Sequence, residues 1–165
     1  MTQREVLRYP NPLLKQRCRE VDDAELIARL ARDLVDTMRT QPRCVGLAAP
    51  QIGELVRVVA VDVTGHPKAT SCNGLLVLAN PAVLEAVGDE LGREGCLSVP
   101  DLTGNVRRAT RVSIEAASLN DEQVVVEADG FEARVLQHEL DHLDGILFLD
   151  RVVSHRDLFR RRSYG

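Results

Sequence analysis

The stretch Gln137-His138-Glu139-Leu140-Asp141-His142-Leu143-Asp144-Gly145 limits the rest of the chain more than any other. His138 and His142 stand four residues apart, so on an α-helix they project from one face, one turn above the other. Glu139 lies on the flank of that face. Two imidazoles so placed can hold a divalent metal, and the neighbouring carboxylate can work on its water. Helix signals surround the motif. Asp129 can cap its start, Glu132 stands in capping-box register, and Gly145 can end it. The alternative is an amphipathic core helix whose histidines make ordinary hydrogen bonds.

A catalytic centre of this type needs three protein ligands and an open position. The motif's surroundings offer no third. A metzincin histidine would fall where Phe148 stands, and no glutamate follows Glu139 to serve as in a thermolysin-like enzyme. The missing ligand therefore lies upstream.

With 165 residues the chain is most simply one domain, 1–165, with a short basic C-terminal tail from about 151. A net charge of −4 argues against a general nucleic-acid binder, and the lack of tryptophan argues against a base-stacking surface. Met1 is followed by no apolar run, which reads as no signal peptide and no membrane span. Cys18, Cys44, Cys72 and Cys96 show no CxxC spacing, so the reading is a reducing, cytoplasmic compartment with free thiols or thiolate ligands.

In chain order, Asn11-Pro12 opens a short turn through Lys15. After Asp22-Asp23, the spacing of Leu26, Ile27, Leu30, Leu34 and Met38 predicts an amphipathic core helix. Cys44 to Gly53 is small, apolar and broken by Pro50, with Gln51 its one polar side chain; by itself it reads as a tight turn entering a strand. Val56–Val63, Leu75–Ala79 and Val83–Val87 read as strands, the last two divided by Asn80-Pro81. Between the first two, Thr64–Gly74 reads as a loop that carries a solvated His66. Arg111–Ala117 and Gln123–Ala128 read as a hairpin about Leu119–Glu122. The resulting class is α+β. In Glu94-Gly95-Cys96-Leu97-Ser98, Cys96 could be a small buried hydrophobe, yet a thiolate suits the same metals as imidazole.

Taken together and in this order, Cys44–Gln51, Glu94–Ser98 and Gln137–Leu143 resemble the three signature motifs of the peptide deformylases. Asn80-Pro81 and Leu147–Asp150 fit too, and the likeness runs from about Val6 to Arg151. Two positions depart from the pattern. Cys44 stands where the bacterial form usually has glycine, and Thr103 where a basic or aromatic residue is common.

The resemblance implies antiparallel sheets wrapped around a central metal-binding helix. It implies removal of the formyl group from formylmethionyl nascent polypeptides, with release of formate. The implied metal ligands are Cys96, His138 and His142, with Glu139 as general base and then acid. The Gln51 side-chain amide and the Leu97 backbone N–H would meet the oxyanion. Cys44, Val45 and Gly46 would lie along the substrate, with Cys44 a cleft wall rather than a fourth ligand. Glu94 reads either as a residue positioning a neighbouring loop or as surface charge. One sulfur and two nitrogens suggest zinc by ligand type. The resemblance implies ferrous iron for activity, with zinc, nickel or cobalt able to take its place. The basic run Arg151, Arg156, Arg160, Arg161 and Arg162 reads as a solvated or frayed end, and resemblance offers ribosome contact as a second reading. Two rival functions remain: another metallohydrolase such as a peptidase, and a structural metal module, against which Glu139 and Gln51 argue.

Overall fold

The computed structural model describes residues 3–161. The leading helix α1 spans Ala24–Thr40, with the Asp23 side chain accepting from the Leu26 N–H at its start. Leu30, Leu34 and Met38 are buried along it, as the periodicity predicts. Leu30 and Leu34 pack with Leu47, Val58 and Ala60, which fixes α1 against the first strands of the main sheet.

That sheet comprises β1 (Gly46–Ala48), β2 (Val58–Val61), β3 (Leu76–Val87), β6 (Arg111–Ala117) and β7 (Gln123–Asp129), in that spatial order and antiparallel throughout. A second antiparallel sheet holds β4 (Glu90–Cys96), β5 (Val99–Arg108) and β8 (Leu158–Arg160), with β5 in the middle. The hairpin at Leu119–Glu122 forms as expected, with Asp121 at φ 59° in its turn.

The strands and the C-terminal segment differ from the sequence reading in three places. The two strands expected either side of Asn80-Pro81 are one strand, β3, with a register shift between Ala79 and Ala82. Pro81 has no N–H for the ladder, and Asn80 takes up the irregularity at φ 50°. Its side chain then acts as a substitute strand neighbour: Oδ1 accepts from Val21 N–H at 2.9 Å and Nδ2 donates to Val21 O at 2.7 Å. Second, β4 and β5 were hidden behind glycines and charges, since inward positions of β5 include Gly104 and Arg108 as well as Val99 and Val106. Third, the basic C-terminal segment is built into the fold rather than frayed, although Arg156 and Arg160 on it are exposed, in line with the solvated reading. α3 (Phe148–Arg151) buries Phe148, and β8 pairs with Leu102–Gly104. Arg162 lies outside the described residues.

The motif helix α2 spans Gly130–Leu143 and lies between the two sheets. Leu136, Leu140 and Leu143 join the core of the main sheet, beside Val59, Ile114 and Val126. Cys96, Val99, Val106, Leu147 and Phe148 form the core of the smaller sheet. The expected capping box does not form. Asp129 Oδ1 accepts from the Thr70 hydroxyl, and Glu132 accepts from the Ser71 hydroxyl and from both the backbone and side-chain N–H groups of Asn73. Glu132 is fully buried, and three loop donors satisfy it better than one back-bond to the helix start would. The 64–74 loop is thereby tied to α2. At the other end Gly145, at φ 73°, closes the helix by donating to His142 O.

The N-terminal segment crosses behind this assembly. Leu7 N–H donates to Gln51 O at 2.7 Å, and Tyr9 N–H donates to Ser98 O at 2.8 Å. Asn11-Pro12 then begins a short 3-10 turn, with Asn11 Oδ1 accepting from Leu13 N–H.

Asn80→Ala should lower stability by about 2–4 kcal/mol. It removes two hydrogen bonds to one buried backbone unit and leaves a Cβ-bearing residue in the left-handed region without local support. The urea midpoint, compared at equal slope, measures the loss.

Candidate metal centre

Two elements converge to build the centre. α2 supplies His138 and His142, whose ring centroids are 5.1 Å apart. β4 supplies Glu94 and Cys96, which share its inner face because side chains alternate along a strand. The register shift between Gly95 and Cys96 ends the regular pairing at the thiol. Cys96 Sγ lies 3.3 Å from His142 Nε2, and the donor atoms of Cys96, His138 and His142 all lie within 4.8 Å of one another. All three side chains are buried.

Glu94 carries the charge balance of this corner. Its carboxylate receives Arg108 Nε and Nη2 at 2.8 and 2.9 Å, Arg134 Nη1 at 2.9 Å and His138 Nδ1–H at 2.8 Å. Arg108 extends the network to Asp141, which also receives Arg151. Burial alone would raise the Glu94 carboxyl, but Arg108 and His138 hold it far below the usual carboxylate range. Fixing the proton on His138 Nδ1 leaves Nε2 as the lone-pair nitrogen. Glu94 is thus a buried anchor, not surface charge.

The thiol is set in the same way. Burial would raise Cys96, yet His142 and His138 beside it hold it well below the ordinary thiol value. A thiolate with two imidazoles is a donor set suited to zinc, iron, nickel or cobalt. These residues fit one divalent metal.

Glu139 is 4% exposed, and burial pushes its carboxyl up to about 7. It gets this close because Gly46 has no side chain: a Cβ there would meet Glu139 Oε1 at 2.8 Å and Val135 Cγ1 at 3.0 Å. Glu139 Oε2 has no hydrogen-bond partner in the structure. Gln51 sits in a short 3-10 turn, Ala49–Ile52, that Gly53 closes at φ 87°. Its Oε1 accepts from Ala48 N–H at 2.9 Å, which turns Nε2 toward Ser98 Oγ at 3.1 Å and Cys96 Sγ at 3.5 Å.

A cleft of about 370 Å³ opens over these groups, and its wall includes Cys44, Val45, Gly46, Gln51, Cys96 and Leu97. His138 and Glu139 line it as well, while His142 lies beneath. Cys44 stands outside the ligand group; its thiol donates to Gly46 O at 3.3 Å, and burial pushes it up to about 12. All four cysteines are free. His66, read as a solvated loop residue, is partly buried and stacks on Phe131 with centroids 4.2 Å apart.

Sequence reasoning missed Arg108, Arg134 and Asp141. Arg108 carried one usable signal: it falls two residues after Val106, on the inward side of a strand. Among the described residues, no helix is long and apolar enough to cross a membrane.

An open three-donor centre beside a buried carboxylate, set in a peptide-sized cleft, defines the machinery of a metal-dependent hydrolase. The model of the polypeptide deformylase family matches residues 3–157. Peptide deformylase from Dictyoglomus thermophilum is 43% identical over 154 residues, covering 92% of this chain and 94% of its own length. That from Desulforudis audaxviator is 44% identical over 161 residues, covering 96% and 97%. The crystal structure of peptide deformylase from Thermotoga maritima superposes with a TM-score of 0.83 at 32% identity, over 92% of this chain and 99% of that one. The chain belongs to the peptide deformylase family.

Glu94→Gln should weaken metal binding by roughly 10–100-fold, as read by competition with a chelator. It should also cost about 3–5 kcal/mol of stability, because the buried Arg134 guanidinium loses its counter-charge and Arg108 keeps only Asp141.

Proposed function

We propose that Cys96, His138 and His142 hold one divalent ion and that Glu139 manages the protons as the chain hydrolyses the N-formyl amide of formylmethionyl polypeptides. The observation that carries this reading is Glu139 itself: buried against Gly46, raised by burial to about 7, and with one carboxylate oxygen unengaged beside the three donors. When bound, the metal supplies Lewis acidity that makes a water nucleophilic near neutral pH.

Glu139 accepts the proton of the attacking water as its oxygen adds to the formyl carbon. It returns that proton to the amine as the C–N bond breaks, giving formate and a free N-terminus. The Gln51 Nε2–H and the Leu97 N–H meet the oxygen on which negative charge develops, and each such donor is worth about 2.7–4 kcal/mol in the transition state. Gln51 is held for this by Ala48 N–H and Ser98 Oγ, so little reorganisation is needed. Cys44, Val45 and Gly46 form the wall along which the substrate backbone lies, with the methionine side chain in the apolar part of the cleft.

Ferrous iron is the metal proposed for activity. Zinc, nickel and cobalt share the same donor preference and can replace it. Four free thiols support a reducing cytoplasmic setting, where formylated chains emerge. Ribosome contact would rest on Arg156 and Arg160, exposed on the C-terminal segment, because Arg151 is already bound to Asp141.

Glu139→Gln should keep metal stoichiometry and lose roughly 10²–10⁴-fold in kcat on a formyl-Met peptide, since an amide fills the space but takes no proton. Near-normal turnover by the metal-loaded variant would overturn the role given to Glu139. Stripping the metal should abolish formate release and re-adding a divalent ion should restore it, measured by coupled formate oxidation. Cleavage of internal peptide bonds in place of formate release would instead favour a peptidase.

A further inference from the structure

The catalytic cleft has a second cavity against its wall. Phe131, Arg134, Val135, His138 and Glu139 follow one another at helical spacing, so one face of α2 lines the cleft. Toward the start of the helix that face runs from His138 to Val135, then to Arg134 and Phe131. The neighbouring cavity, of about 300 Å³, shares Lys68, Arg93, Phe131 and Arg134 with the cleft and adds Thr70 and Thr110. Arg134 and Phe131 therefore stand where the two spaces meet.

Arg134 is held there as a fixed panel. Its Nη1 donates to Glu94 Oε2 at 2.9 Å and to Val106 O at 2.8 Å, and Nη2 donates to Glu90 O at 2.8 Å. The guanidinium lies face-on to Gly92: a Cβ there would meet Cζ at 2.8 Å and both Nε and Nη2 at 2.9 Å. Near-equal distances to three atoms of one planar group put its plane across that glycine. Glu94 compensates its charge, so what the side chain offers the cleft is bulk in a set position. Phe131 is steadied in turn by His66, which stacks on it with centroids 4.2 Å apart. A guanidinium bonded in this way moves only by breaking charge-assisted hydrogen bonds, so the partition holds when a side chain presses on it.

We propose that Arg134, with Phe131 beside it, is a specificity-determining residue that sets the depth of the first-residue pocket: it stops the cleft at the length of a methionine side chain and shuts longer side chains out of the cavity beyond. This rests on the deformylase reading above. With the formyl carbon at the Cys96–His138–His142 centre, a first side chain turned along α2 passes Val135 and meets Arg134. Arg134 precedes His138 by one helical turn, about 6 Å along the axis, which suits an unbranched side chain of methionine's reach. A longer one must withdraw from the cleft or break the hydrogen bonds of the guanidinium.

The test compares kcat/KM of the metal-loaded full chain for formyl-Met-Ala, formyl-norleucyl-Ala and formyl-2-aminooctanoyl-Ala, all as C-terminal amides. Norleucine matches methionine in length, and the aminooctanoyl side chain is longer by two methylenes. The unaltered protein should hydrolyse the first two alike and the third about 100-fold less well, at roughly tenfold for each methylene. Arg134→Ala, which joins the cleft to the cavity, should bring the norleucyl to aminooctanoyl ratio to within about fivefold. Phe131→Ala opens the other half of the partition; it should lower the ratio too, and it serves if Arg134→Ala does not fold. Arg134→Gln removes the charge but leaves a planar amide to lie on Gly92, and should keep most of the discrimination. The ratio is insensitive to the fraction of folded, metal-loaded protein, because such a loss lowers both rates alike. A ratio near one in the unaltered protein, or an unchanged ratio in the folded alanine variants, would overturn this inference and leave the deformylase reading intact. An equal collapse in Arg134→Gln would overturn it as well, since lost charge rather than lost bulk would then open the pocket. Failure of the unaltered protein to hydrolyse any of the three would overturn both.

Discussion

The Glu94 carboxylate is the interaction on which the site depends. Three cationic or proton-donating groups reach it from two other elements: Arg108 on β5, and Arg134 and His138 on α2. Desolvating one carboxylate is costly, and only this density of charge-assisted hydrogen bonds offsets it. The result is a rigid junction between the smaller sheet and the motif helix. It also fixes the tautomer of His138, which decides which nitrogen faces Cys96. Asp141 performs the matching service one helical turn away, balancing Arg108 and Arg151. The charges behind the centre thus form one connected chain rather than separate pairs.

Close backbone approach is the second constraint, and it operates twice. Gly46 admits Glu139 to the floor of the cleft, and Gly95 admits the Arg161 guanidinium to its wall. In both places a methyl group would stand too close to the end of a charged side chain. The small residues of the first two motifs are therefore matched to side chains that arrive from α2 and from the segment after β8.

How much could be read in advance follows from distance along the chain. The histidine pair and Glu139 were legible because four-residue spacing translates directly into a shared helix face. Cys96 became legible once a third ligand was required, and the resemblance of three ordered motifs then placed it. α1 was legible from its apolar stripe, as was the β6–β7 hairpin from its turn. The smaller sheet was not, because Gly104 and Arg108 occupy positions where alternation would show an apolar residue. Nor was the role of Glu132, whose donors lie near residue 72. A capping box is the local solution to a helix start, and a loop about sixty residues away supplied a better one. Buried ion networks leave no periodic trace, so Arg134 and Asp141 read as ordinary helix charges.

The N-terminal segment gives one consequence beyond the chemistry. Leu7 and Tyr9 hold Gln51 O and Ser98 O, so three residues, Leu7 to Tyr9, span the gap between the turn that carries Gln51 and the segment that carries Leu97 and Ser98. They do not line the cleft, yet they act as a spacer that gauges the distance between the Gln51 turn and the Ser98 end of the smaller sheet. Adjusting that spacer would shift Gln51 relative to Cys96 and Ser98 from outside the cleft, with every cleft-lining residue unchanged.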